Sequence, residues 1–174
     1  MKRLQALLVV AAFLGGVAAG IASSVAKSNA SLFTGKSPKD AALALLGAAQ
    51  SQAENGSWEN LAVGRAYYLM GDRAGGQAIF DRVMAGKVKE SDWMRLGRIY
   101  VEAKEWEKAQ AAFDKALSLD PKDAEKLAEI GAYYNLHGNR AKAEELFTRS
   151  FQLKPDQVWN TLNVAGSYVG IKPQ

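Results

Sequence analysis

The sequence predicts an all-α chain, an α-solenoid of stacked antiparallel helix pairs, and three observations carry that prediction. Residues recur with a fixed period. Gly97 and Gly131 stand 34 positions apart, as do Tyr100 and Tyr134, Ala109 and Ala143, and Phe113 and Phe147. Self-similarity at this length marks stacked supersecondary units. The composition favours helix, since alanine and leucine dominate and the chain holds four prolines. Turn residues also fall between the recurring segments, with Gly71-Asp72 and Gly138-Asn139 inside units and Pro121 and Pro155 between them.

The elements follow in chain order. Met1-Lys2-Arg3 gives a basic start, and no further charge occurs before Lys27. Between Leu4 and Ala22, nine of nineteen residues are Leu, Val, Ile or Phe, and the rest are alanine, glycine and one glutamine. Residues 1–26 therefore read as an export signal, with small residues before possible cleavage points such as Ser24-Val25-Ala26. The same apolar helix, residues 4–25, is long enough to remain as a membrane anchor, and Gly16 and Gly20 would give it a close-packing face. Under both readings the basic start stays inside and the body is exported. In a bacterial cell that body is expected to be periplasmic, soluble or tethered to the inner membrane.

Residues 27–36 are small and polar and read as a linker. Ser37-Pro38 then opens an amino-terminal helix expected over 37–55, with serine as cap and proline in the first turn. Three units are expected next, over 57–89, 90–123 and 124–157, and a capping helix over 158–171, for eight helices in all. Gly64, Gly97 and Gly131 lie inside first helices, where glycine costs about 1 kcal/mol against alanine. Close approach of a second-helix alanine, Ala109 or Ala143, is the expected compensation. Tyr67, Tyr100 and Tyr134 are expected to fill the space between helices, with Phe80, Phe113 and Phe147 opposite. The first unit is degenerate, because Gly76 replaces an alanine, so its second helix should start loosely at Asp72–Gly76.

The middle unit reads Trp93, Leu96, Gly97, Tyr100, Ala109, Phe113, Ala116 and Pro121. This pattern resembles the tetratricopeptide repeat family, and the resemblance extends over residues 57 to about 170. The third unit keeps Gly131, Tyr134, Ala143, Phe147 and Pro155 but has Leu127 at the tryptophan position. The resemblance implies a non-enzymatic scaffold that holds a protein partner, a peptide or helix, in a concave groove lined by the first helices. Carried over by register, the groove residues are Trp58, Leu61, Arg65 and Tyr68, then Met94, Arg98 and Val101, then Ala128, Ala132 and Asn135, and finally Trp159 and Leu162. Arg65 and Arg98 occupy equivalent positions and are expected to project side by side, ready to pin a partner's carboxylate.

Composition excludes several other functions. There is no cysteine, so disulfides, thiolate metal sites and covalent haem attachment are ruled out. Setting aside Lys2 and Arg3 leaves twenty basic against eighteen acidic residues, too even a balance for a nucleic-acid footprint. His137 is the single histidine and falls in a turn, which leaves no catalytic constellation and no metal site. Mixed-sign runs such as Lys104–Lys108 read as solvated faces. No catalytic residue, cofactor, metal, nucleic acid or small-molecule substrate is therefore expected. The expected role is an envelope adaptor that assists assembly of a multi-protein complex. The alternative is a membrane-anchored structural subunit held by an uncleaved first helix.

Overall fold

The computed structural model describes residues 25–173, so most of the predicted signal or anchor helix lies outside the described residues. A 3-10 turn at Ala30–Leu32 precedes eight α-helices: α1 Pro38–Ala53, α2 Ser57–Leu69, α3 Arg73–Met84, α4 Glu90–Glu102, α5 Trp106–Leu119, α6 Ala124–Leu136, α7 Arg140–Leu153 and α8 Val158–Tyr168. None of these helices is long and apolar enough to cross a membrane. Three hairpins, α2–α3, α4–α5 and α6–α7, stack in sequence, with α1 against α2 and α8 against α6.

Helix starts follow the local chemistry. Ser37 Oγ accepts from the Asp40 amide at 3.2 Å, with Pro38 in the first turn of α1. Asp72 caps α3, Asp123 caps α6 and Asn139 caps α7, each accepting backbone amides of the first turn. The turns within hairpins require a left-handed residue at one register position. Gly71 (φ 109°) and Gly138 (φ 82°) take it without cost, whereas Lys104 (φ 62°) holds it in the middle unit against a steric penalty.

The core runs the length of the stack. Leu61, Phe80, Phe113, Leu127, Ile130 and Leu146 are fully buried. Gly64, Gly97 and Gly131 each face a second-helix phenylalanine ring. A Cβ on Gly64 would fall 2.6 Å from Phe80 Cε1, one on Gly131 would fall 2.6 Å from Phe147 Cε1, and one on Gly97 would overlap the Phe113 ring. The ring, rather than the alanine expected from sequence, therefore fixes these glycines, and Ala143 touches Gly131 through its carbonyl.

The first unit departs from expectation twice. Its second helix does not begin loosely: Gly76 is buried, and a Cβ there would lie 2.7 Å from the Gly64 carbonyl. Gly76 brings the backbones of α2 and α3 together where an alanine would hold them apart. Tyr67 is half-buried, and Tyr68 takes the interior place instead, 5.5 Å from Phe80 and 6.0 Å from Tyr100 between ring centres.

The run Lys104–Lys108 is more than a solvated face. Glu105 accepts from Tyr68 Oη at 2.6 Å and pairs with Arg73 and Lys108, joining the first unit to the second. Burial pushes the Glu105 carboxyl up, but hydrogen bonds from Lys108 and Tyr68 and the Lys108 and Arg73 charges outweigh it and leave it below its ordinary value. Trp106, in the same run, packs on Tyr134 and stacks at 4.0 Å on the exposed ring of His137.

Candidate protein-binding surface

The first helices α2, α4, α6 and α8 lie side by side, and polar links tie each to the next. Arg65 Nε donates to Glu102 Oε2 at 2.6 Å, and its Nη2 donates to the other carboxylate oxygen. Arg98 repeats the fork on Glu129, with both bonds at 2.6 Å. Asn135 Nδ2 donates to Ser167 Oγ at 2.9 Å. The Arg65 guanidinium is held above its ordinary value by the Glu102 hydrogen bond, against the lowering from burial. Arg98 is raised in the same way by its Glu129 bond.

These links revise the expected groove. Arg65 and Arg98 are both engaged bidentately by internal carboxylates, so neither is free to pin a partner's carboxylate. A bidentate pair of this kind fixes the register between neighbouring helices. Leu61, Tyr68, Met94, Ala128 and Ala132 are buried and present no surface to a partner. The physical reason lies in the stacking. A first helix touches its own second helix and the first helices on both sides, so positions facing the next unit close over. Val101 and Asn135 remain half-buried. Trp58 is exposed but covered on one face by the Arg95 guanidinium, 4.1 Å from its ring centre.

The last helix is different. Trp159 is 59% exposed and Leu162 53%, and Val158, Val169 and Ile171 are open beside them. Trp159, Leu162, Gly166, Val169 and Ile171 line a hollow of about 460 Å³. The chain reverses at Gly170 (φ 80°), and the Ile171 amide donates to the Gly166 carbonyl at 2.9 Å, a glycine-terminated helix end. This folds Ile171 against Gly166, where a Cβ would lie 3.4 Å from Ile171 Cβ.

The inner side of α8 packs through Val164 and Tyr168. Val164 joins the core, and Tyr168 lies 6.1 Å from the Phe147 ring and donates to Glu144. Asn160 is fully buried there, and its amide has no hydrogen-bond partner among the described residues. Sequence reasoning reached Trp159 and Leu162 but missed Val158, Val169 and Ile171. The signal for those three was the apolar character of the chain after Pro155, where a polar cap would be expected of a terminal unit. Among the described residues no three His, Asp or Glu side chains converge to hold a metal.

Comparison with known proteins agrees with this geometry. A tetratricopeptide repeat model matches residues 91–123. Superkiller complex protein 3 from Homo sapiens is 30% identical over 87 residues, and that from Mus musculus 30% identical over 88. These matches cover 50% and 51% of this chain but 6% of each relative's length. Two solved structures of MamA superpose with TM-scores of 0.54 and 0.53, each over 76% of this chain and over 80% and 74% of theirs. At 18% identity that likeness speaks for the fold alone. The repeat model thus marks residues 91–123 as similar to a tetratricopeptide repeat, and the likeness to MamA shows a shared all-helical fold over 76% of the chain.

Proposed function

We propose that this chain is a non-enzymatic scaffold that takes up an amphipathic helix of a protein partner on the open face of α8, and thereby assists assembly of a multi-protein complex. Tetratricopeptide repeat proteins generally mediate protein–protein interaction. The observation that carries the finer reading is the exposed apolar hollow lined by Trp159, Leu162, Val169 and Ile171. Contiguous apolar patches on a folded surface mark interaction sites, and a tryptophan near the centre of such a patch supplies much of the affinity. Helix-in-groove recognition lays the apolar face of a partner helix onto an apolar surface of this kind.

The export reading of residues 1–26 places this scaffold in the cell envelope, soluble or tethered. Intact mass of the native protein checks it: a mature start near Ser23, Lys27 or Ser31 indicates cleavage, and an intact Met1 indicates a retained leader. The binding reading is checked by photo-crosslinking in native cells from probes at positions 159 and 162. The expected result is one specific partner adduct, lost in Leu162→Asp when the probe sits at 159. A probe at the exposed Ser118 on α5 should give none. Equal adducts from all three positions would dispose of the reading.

A further inference from the structure

The open face of α8 carries both a projection and a hollow, and they lie toward opposite ends of the helix. Trp159 stands exposed in the first turn. Val169 and Ile171 form the far wall of the hollow, and Ala165 and Gly166 line it between them and Leu162. Trp159, Leu162 and Gly166 recur at steps of three and four residues, and Val169 at the C-cap continues the stripe. A stripe at this spacing forms a seam, so a second helix laid against it stays in contact along its length.

Charge follows the same polarity. Asp156 lies just before α8 and Lys172 just after it, and both are exposed. Neither forms an ion pair among the described residues, while the neighbouring Lys154 pairs with Glu125. The face therefore has a bulky end beside an unpaired carboxylate and a hollow end beside an unpaired ammonium. Turned end for end, it complements itself.

We propose that the helix taken up by α8 is α8 of a second copy of this chain, packed antiparallel about a twofold axis. The inference rests on the reading of α8 as a binding face and names the occupant of that face. With the two helices crossing between Leu162 and Gly166, Trp159 of each copy enters the hollow of the other against Val169. The same arrangement brings Asp156 of each copy to the end of α8 where Lys172 of the other lies. An isologous contact uses every element twice, so one face supplies two tryptophan anchors and two ion pairs. The face is small, which makes the association weak and reversible.

The chain has no cysteine, so a single introduced one reports a contact cleanly. Ala165 is exposed and lies beside the axis. In the full chain in native cells, Ala165→Cys should give a disulfide-linked species of twice the chain mass on mild oxidation. Ser118→Cys, at an exposed position on α5, should give none. Adding Trp159→Ala should cut the Ala165→Cys crosslink by about tenfold or more. In the same background, Asp156→Lys or Lys172→Asp alone should slow crosslinking by about fivefold, and the two together should restore it. No dimer from Ala165→Cys, equal dimer from Ser118→Cys, or no recovery in the double exchange would overturn the proposal. The photo-probe at position 159 separates that failure from failure of the α8 reading. An adduct of another mass keeps α8 as a binding face but overturns the second copy as its occupant, and no adduct at all removes both.

Discussion

Helices α6 and α8 occupy the same place in successive units, yet nine residues of α6 are buried and two of α8 are, both of them polar. The difference comes from their neighbours. Helix α6 lies beneath α7 and packs on α8, with the Arg98–Glu129 fork joining it to α4, whereas among the described residues α8 meets only α6 and the edge of α7. The glycine position records the same contrast. Gly131 in α6 must be glycine because Phe147 lies on it, while Ala165 stands at that register in α8 with no second-helix ring above it. A repeat residue is thus constrained by the helix that covers it, and an uncovered first helix keeps its apolar character as surface.

Several substitutions break or sharpen that contrast. Leu127→Ala, in the fully buried face of α6, should lower unfolding free energy by about 3–4 kcal/mol in urea titration. Gly97→Ala should cost about 2–3 kcal/mol, because the added methyl overlaps the Phe113 ring. Restoring glycine at Ala165 should change stability by no more than helix propensity dictates, about 1 kcal/mol.

The titration of α6 gives the next effect. Burial, reinforced by the Glu129 charge and opposed by Arg98, raises the Tyr133 hydroxyl from 10.0 to about 12. Above pH 10.0 the unfolded chain loses that proton first, so the folded state holds more protons and stability falls as pH rises to about 12. Thermal melts should lose stability across this window, and Tyr133→Phe should remove part of that loss, the rest coming from Tyr134 and Tyr100, which burial raises as well. The register equivalent in α8 is Ser167, which contributes nothing to that slope. Smaller still, Asn160→Leu should raise stability by about 1 kcal/mol, since it removes a buried amide without partners.

The glycines, aromatics and prolines returning every 34 residues made the helix pairs legible, because each records a contact inside its own unit. Contacts between units were harder to read. Arg65 finds Glu102 at a separation of 37 residues and Arg98 finds Glu129 at 31. Neither spacing matches the period, so comparing units in register points to two free arginines where the fold has two closed forks. Leu61 and Met94 were misplaced for the same reason: the family's concave positions close over when neighbouring first helices touch. Gly76 looked like a defect in the motif and is instead where two backbones meet, a trade visible only with Gly64 opposite it. Trp159 and Leu162 remained legible as surface because no further unit follows to cover them in the described chain.

The central claim is that α8 presents an open face whose apolar residues serve a partner and not the fold. The most direct test is urea unfolding of Trp159→Ala beside Leu127→Ala in the full chain. The account predicts that Trp159→Ala stays within about 0.5 kcal/mol of the parent while Leu127→Ala loses about 3–4 kcal/mol. A comparable loss in both would mean that Trp159 is packed into the fold and that α8 has no open face to offer.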